Sequence, residues 1–439
     1  MTGVWTNWSG GQECRPAATA RPLDEGGLAA VVRRAAERGQ KVRPLGAGHS
    51  FSALAATDGV HLDLSAFSGV TAVGATSGRA TVRVRSGTTI AELHEELAAR
   101  DLALATPLEL DAPTVGGALA VGMHGSAHAV GSLSTAVSAM RVVDGRGRVR
   151  DVAPADLDAA RTSLGALGVL VDVELAVVAA DRVRVTRAPR PLDEVLDPDY
   201  WEGHHVAEAA LFPSAPTALA RWADRLTEDA DADDVMAEPG SPGRMRGVGV
   251  AVAGATGRTA LGGAVAVERA LPSLVPRVNR VVSRLARTVS ATGAAHRVLS
   301  SPPAVRFEQA EWALPREALA DGARELLGAL ATGGLEVGLP LRLRVGPAET
   351  GWLHPAHGHA TGWLSVRVPR GTDPEPVFVA ARAVLASHGG RPHWASRHDW
   401  TAVEVAASYP RLADFRRVRD AYDPDRVFVN PALAALLDG

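Results

Sequence analysis

Hydrophobic positions in the first third of the chain switch repeatedly between helical and strand-like spacing. Within residues 24–38, Leu28, Val31, Val32 and Ala35 recur at the helical period, and Val42-Arg43-Pro44-Leu45 follows as a short strand. Residues 60–64, 80–84 and 141–143 read as further strands, with turns at Gly87-Thr88-Thr89 and Asp144-Gly145-Arg146-Gly147. Residues 90–100 form a helix carrying Leu93 and Leu97 on one face, and a glycine-rich turn after Leu164 becomes a long strand over 169–178. Beyond residue 181 the composition changes. Residues 228–263 are polar and acidic, then rich in Gly, Pro and Ala, and read as a loop or irregular insertion. Strands are predicted at 305–312 and 338–345, and amphipathic helices at 317–331 and 376–387. The tail, 410–437, reads as a helix, a turn at Asp423-Pro424-Asp425, and a short strand or loop at 427–430. No internal repeat is evident, and the fold class is α+β.

At 439 residues, with 46% hydrophobic and 22% charged, the chain holds two or three domains with real cores. Basic and acidic residues nearly balance, 46 against 49, so neither nucleic acid nor an anionic membrane is an expected partner. The single cysteine, Cys14, excludes an internal disulfide and cysteine-rich metal or redox motifs. Residues 1–10 lack the basic and apolar regions of a signal peptide, and no apolar run is long enough to span a bilayer; a cytoplasmic protein is expected. Lys41 is the only lysine, so any chemistry requiring one has a single candidate.

Three glycine-rich stretches then narrow the chemistry. Gly46-Ala47-Gly48-His49-Ser50 follows a strand, where glycines let the backbone turn sharply and bring N–H groups against phosphate oxygens; it lacks the third glycine of a dinucleotide fingerprint. Thr114-Val115-Gly116-Gly117 leads to Val121-Gly122-Met123-His124-Gly125-Ser126 without one charged side chain before His124, which suits a backbone lying against a large flat ligand. Ser163-Leu164-Gly165-Ala166-Leu167-Gly168-Val169 has the same character. Together they point to a long ligand with a pyrophosphate and a ring system.

In that order and spacing these stretches resemble the PCMH-type FAD-binding domain of the vanillyl-alcohol oxidase superfamily, and within it the sugar-lactone and alditol oxidases. Asn7-Trp8-Ser9-Gly10, Leu314-Pro315-Arg316-Glu317, Trp352-Leu353, His393-Trp394 and Tyr409-Pro410-Arg411 also match that group. The resemblance implies an FAD-binding domain at 1–180, a separate α+β substrate domain with an antiparallel sheet at 181–395, and a C-terminal segment, 396–439, returning to the FAD domain. It implies FAD bonded covalently through His49, which raises the flavin potential; the redox chemistry is the cofactor's. It places Pro44, Leu45, Gly46, Ala47, Gly48, His49, Ser50, Glu109, Thr114, Gly117, Val121, Gly122, Met123, His124, Leu170 and His393 as cofactor contacts. The implied reaction is hydride transfer from a C–OH (or C–N) group of a polar, sugar-like or natural-product small molecule, with oxygen or another acceptor reoxidising the flavin.

The substrate positions depart from the family pattern. A Glu-x-Arg pair on a strand falls at Arg342 and Arg344, so the glutamate has become arginine; the lysine of His-Trp-Gly-Lys has become Ser396; and a histidine of the neighbouring strand corresponds to Ser365. Glu109, Arg342, Arg344 and Ser396 are therefore the candidate catalytic residues, with Glu109 and His393 the candidate bases. Leu341-Arg342-Leu343-Arg344-Val345 alternates with period two, so both arginines project from one face. That makes a positive floor suited to a carboxylate or phosphate, and the substrate is expected to carry an anionic group. A charge swap, with Arg342 paired to Glu109, is the competing reading. A conventional aldonolactone or alditol oxidase producing hydrogen peroxide, and a flavin-loaded binding protein without turnover, remain the alternatives. His354, His357 and His359 are spaced as zinc ligands but lack a carboxylate or thiol, and are read as a solvated loop; no metal is expected.

Overall fold

The computed structural model describes residues 3–226, 263 and 272–438. Asp24 starts the first helix, its side chain accepting from the Gly27 N–H at 2.7 Å, and Glu25–Glu37 buries Leu28, Ala29, Val32 and Ala35. Val31, expected on the same stripe, lies half-buried at its edge. The helix leads into Val42–Leu45, which pairs in parallel with Val60–Asp63, itself parallel to Ala18–Ala20. Beside this small sheet stands a five-stranded antiparallel one, in the order Val149–Asp151, Val137–Val143, Val169–Ala176, Arg79–Arg85, Val70–Thr76. Ile90–Ala98 begins with a reciprocal Thr89–Glu92 cap and buries Ile90, Leu93 and Leu97 in the same core as Val82 and Val84.

The second half is built on an eight-stranded sheet whose neighbours all pair antiparallel: Val289–Ala294, Arg182–Pro191, Thr217–Arg225, Val206–Leu211, Leu341–Gly346, Thr361–Pro369, Phe307–Pro315, Arg391–Pro392. Helices Leu319–Thr332 and Glu375–Ser387 cover one face, where Leu341, Leu343, Leu364 and Val366 join Leu326 and Leu330 in the core. The other face turns toward the N-terminal domain: Ala127 packs with Val183, Val185 and Val206, and the Ala207 N–H donates to Ser126 O at 3.0 Å. Of these eight strands only Phe307–Pro315 and Leu341–Gly346 are apparent in the hydrophobic pattern. In Arg182–Pro191 arginines and prolines blur the alternation, Val206–Leu211 and Thr217–Arg225 are alanine-rich, and Thr361–Pro369 is buried on both faces, so it has no polar side to alternate with. The irregular insertion read at 228–263 lies outside the described residues, apart from Gly263.

The tail runs as a turn and loop over 427–430, within the short strand or loop expected there. Asn430 then starts a helix the hydrophobic pattern did not show, Pro431–Leu437, its side-chain oxygen accepting from Leu433 N–H at 2.9 Å while its amide donates to the carbonyls of Ala53, Leu54 and Ala56. Just before it, Val42 N–H donates to Val427 O (2.8 Å), Lys41 Nζ to Arg426 O (2.7 Å) and Arg43 Nη1 to Phe428 O (2.7 Å). The chain's end is thus laced to its first long strand, and its one lysine is occupied there.

Candidate active site

Between the small parallel sheet and the five-stranded sheet lies a cleft open to solvent. Pro44, Leu45, Gly46, Thr114, Gly117 and Leu170, all expected as cofactor contacts, line it together with Gly116, Gly165 and Gly168. A Cβ on Gly46 would stand 2.7 Å from Thr114 Oγ1, so the two stretches approach as closely as they do only because residue 46 has no side chain. A mostly apolar cradle floored by glycine backbone fits a dinucleotide flavin in its chemistry.

Ala47, Gly48, His49 and Ser50 continue from that cleft toward the large sheet, where Phe51 stacks on Phe307. His49 stacks on Trp8 (5.3 Å between ring centroids), and Trp8 meets Phe51 and Phe307 edge to face. Burial lowers the His49 pKa, leaving a neutral imidazole with a nitrogen lone pair. At the end of the second glycine stretch, Gly122 closes helix Val115–Val121 with φ of +72°, and its carbonyl accepts from His393 Nε2 at 3.3 Å. The Ala395 N–H donates to His393 Nδ1 (3.2 Å), which fixes the ring proton on Nε2 and commits both nitrogens to backbone. His393 is therefore a poor base in this arrangement and an orienting group for the Gly122 turn. Met123 continues the turn through its N–H to Ala118 O, and Val121 packs against the core.

His124 is the centre of a second cluster. It stacks on Trp363 with centroids 3.6 Å apart, sets Nδ1 3.0 Å from Gly125 O, and faces Glu311 through Nε2 at 3.6 Å. Burial, then Arg344, pushes its pKa down to about 3, so it stays neutral. Glu311 is buried as well. Burial opposes its charge, but the Arg344 guanidinium, 2.5 Å away, holds it well below the usual carboxylate range. His124, Glu311 and His393 offer ligand atoms within 4.8 Å of one another, a spacing that would suit a cation. Arg344 already compensates the one carboxylate, and His393 has no free nitrogen, so the trio reads as a packed group whose single charge is balanced by Arg344.

The register of the large sheet explains why these side chains meet. Partners in an antiparallel ladder share a face. Arg187, Arg221, Glu208, Arg344 and Trp363 form one line across five strands. Arg342, Ser365 and Glu311 form the next, and Arg367 lies beyond, opposite Gln309. Glu109 enters from the N-terminal domain, held by Ser126 Oγ at 2.5 Å. The two arginines of the alternating strand do share a face, but neither is free. Arg342 is bonded to both Glu109 and Glu208, Arg221 donates to Glu208 at 3.0 Å, and Arg344 donates to Glu311. Burial would lower the Arg342 pKa, yet Glu109 and Glu208 raise it; Glu208 is held well below its usual value, against burial, by Arg342 and Arg221. The bare positive floor expected from Arg342 and Arg344 is thus corrected to a set of compensated pairs, and the charge swap between Arg342 and Glu109 is present.

Ser396 is fully buried, its Oγ has no hydrogen-bond partner, and no bond joins it to Glu109, Arg342 or Arg344. The 354–359 segment is a loop, as expected, but not a solvated one: His354 is fully buried and accepts the Ala356 N–H on Nδ1. Sequence reasoning missed Glu208, Arg221, Glu311, Trp363 and Arg367. For Glu311 a signal existed: in Phe307–Pro315 it sits between Ala310 and Trp312 with Gln309 two residues before it, which places both polar side chains on one face.

Comparison with known proteins agrees with this geometry. Residues 16–153 match the FAD binding domain family, and residues 173–436 match the family described as D-arabinono-1,4-lactone oxidase. The chain is 33% identical to an L-gulono-1,4-lactone dehydrogenase of Mycobacterium tuberculosis, over 98% of both chains. It is 29% identical to an alditol oxidase of a Streptomyces species, over the whole of both. It is 26% identical to mouse L-gulonolactone oxidase, over 97% of this chain and 96% of that one. Among solved structures, a cholesterol oxidase from B. sterolicum superposes with a TM-score of 0.79 at 19% identity, covering 100% of this chain and 97% of that one, a likeness of fold. No helix among the described residues is long and apolar enough to cross a membrane. The cleft, the sheet face and these matches agree that the chain belongs to the D-arabinono-1,4-lactone oxidase family, FAD-dependent oxidoreductases acting on CH–OH groups.

Proposed function

We propose that the chain oxidises a carbinol of a small, polyhydroxylated, sugar-like molecule while carrying FAD tethered through His49. The observation that carries this reading is the Arg344–Glu311–His124 group on the sheet face, beside the turn that ends the glycine cleft. FAD held by the Gly46, Gly116–Gly117 and Gly165–Gly168 backbone would supply the hydride acceptor for the carbinol carbon, with oxygen or another acceptor taking the two electrons afterwards. The protein's own share is charge and position. Arg344, oriented by Glu311, offers its remaining N–H groups to the substrate oxygen as negative charge develops there. Glu311 is ionised throughout the working pH range and accepts the hydroxyl proton, which becomes more acidic as the hydride departs. His124, neutral and stacked on Trp363, packs beside Glu311 and helps to shield it from water. Glu109 and Arg342 form the pocket wall; with Ser126 and Arg342 both on its carboxylate, Glu109 is an anchor in this reading.

For the tether, the neutral His49 imidazole stacked at the cleft's edge is the supporting feature. The test is an absorbance spectrum before and after acid precipitation, followed by anaerobic addition of alditols and aldonolactones. Colour retained in the pellet and lost in His49→Ala supports the tether, and bleaching by a polyol or lactone supports the reaction. Colour released to the supernatant removes the tether. A flavin that photoreduces but is bleached by no such compound turns the reading toward a binding protein.

A further inference from the structure

The sheet face that forms the pocket floor carries Arg187, Arg221, Arg342, Arg344 and Arg367, against the carboxylates of Glu208, Glu311 and the incoming Glu109. The three carboxylates are used by Arg221, Arg342 and Arg344. Arg187 is exposed at the rim. Arg367 is different: half-buried, it has no carboxylate within ion-pair distance among the described residues, and its Nε is buried without a hydrogen-bond partner. Its guanidinium lies 5.3 Å from the centroid of Phe307, which meets Trp8, the ring on which His49 stacks. Arg367 therefore stands on the pocket floor one aromatic layer from the His49 turn, away from the glycine cleft. Burial, then the like charges of Arg342 and Arg344, pushes its pKa down to about 9, still cationic at neutral pH. A half-buried cation with no carboxylate beside it is stabilised by an anion on its remaining N–H groups.

We infer that Arg367 is a specificity residue that receives an oxyanion, carboxylate or phosphate, of the substrate, so that the pocket prefers an acidic sugar derivative to a neutral polyol. This rests on the reading of the pocket as the site of carbinol oxidation. Pairing at Arg342 and Arg344 leaves those two to shape and polarise, while Arg367 supplies the charge that discriminates. A planar guanidinium with free N–H groups takes either oxyanion in bidentate fashion.

The experiment titrates photoreduced holoenzyme, which cannot turn over, with D-gluconate, sorbitol 6-phosphate and sorbitol by calorimetry, alongside anaerobic flavin reduction by the same three. One of the anions is expected to bind about 10- to 100-fold more tightly than sorbitol, and which one names the group. Arg367→Met removes that preference with flavin content unchanged, and Arg367→Lys keeps part of it. Sorbitol binding as tightly as both anions, or none of the three binding, overturns the inference. So does a preference that survives in Arg367→Met, or a variant whose flavin loading falls while its preference stays. Should Arg367→Met not fold, the wild-type comparison and the lysine variant decide. Anions that bind selectively while no compound reduces the flavin leave the Arg367 assignment standing and remove the oxidation reading; reduction by sorbitol without any preference for the anions does the reverse.

Discussion

Replacing Glu208 by glutamine tests the electrostatic logic of the pocket floor. Glu208 is 8% exposed and touches two arginines, Arg342 and Arg221, the latter at 3.0 Å. At that distance, with an effective dielectric constant of about 20, the gross attraction of one pair is about 5 to 6 kcal/mol. Desolvation offsets much of it, yet removing one partner of a buried pair typically costs about 3–5 kcal/mol, because the other charge stays buried. Glu109 still serves Arg342 in the variant, which places the expected loss at the lower end, about 3 kcal/mol, or roughly a hundredfold in a local opening equilibrium. The assay is amide hydrogen exchange of Val206–Leu211 and Leu341–Gly346, the strands that Glu208 and Arg342 occupy. The folded-state pKa of Glu208 is depressed, so its stabilisation is present above the unfolded value of about 4.3 and lost as pH falls through the folded value. The gap between wild type and variant should therefore narrow below about pH 4.3. Protection within threefold of wild type at pH 7 would refute the reasoning, as would a gap that does not change with pH.

Three further outcomes follow from the site and its frame. Glu311→Gln should slow flavin reduction by about 10²- to 10⁴-fold with flavin content intact, read by anaerobic stopped flow; a loss under threefold would show that Glu311 is not the proton acceptor. Gly122→Ala would force a left-handed backbone on alanine and set its Cβ 2.6 Å from His354 Cδ2, a ring that is fully buried. Strain of about 1–2 kcal/mol and overpacking of about 1–3 should lower the urea midpoint clearly, and an unchanged midpoint counts against the packing described. Asp423, fully buried, has its pKa raised to about 6 by burial, against hydrogen bonds from Phe428 and Val427 N–H. Its folded form binds the proton more tightly than the unfolded one, so its contribution to stability falls as pH rises from about 4 to 6. Cleavage of the C-terminal segment by a protease should increase across that window in wild type and stay flat in Asp423→Asn.

The glycine turns were legible in the sequence because their chemistry is local: Gly46 and Gly122 sit where a close approach and a left-handed turn demand them, and both positions can be read from neighbouring residues. The helices at Glu25–Glu37 and Glu375–Ser387 were legible for a similar reason, since one sided burial imposes a period. What the sequence hid is what register creates. Glu208, Arg344 and Trp363 are far apart along the chain and become neighbours only when three strands align, and an alanine-rich strand such as Val206–Leu211 carries little alternation to announce itself. The paired state of Arg342 follows the same rule: period two shows the face it points from, but not that Glu208, 134 residues earlier, stands on the neighbouring strand.

The lacing of the tail to Val42–Leu45 has a consequence for how the molecule is made. Arg43, which lines the cofactor cleft, is set in place by the carbonyl of Phe428, 385 residues later in the chain. At a synthesis rate of about 5–20 residues per second, the first strand waits roughly 20 to 80 s for that partner to emerge. The large sheet, complete by Pro392, can form while the cleft is still unfinished. Closure of the cleft then waits for Phe428 to emerge, and a chain cut before Phe428 would have a finished large sheet beside a cleft that lacks the partner of Arg43.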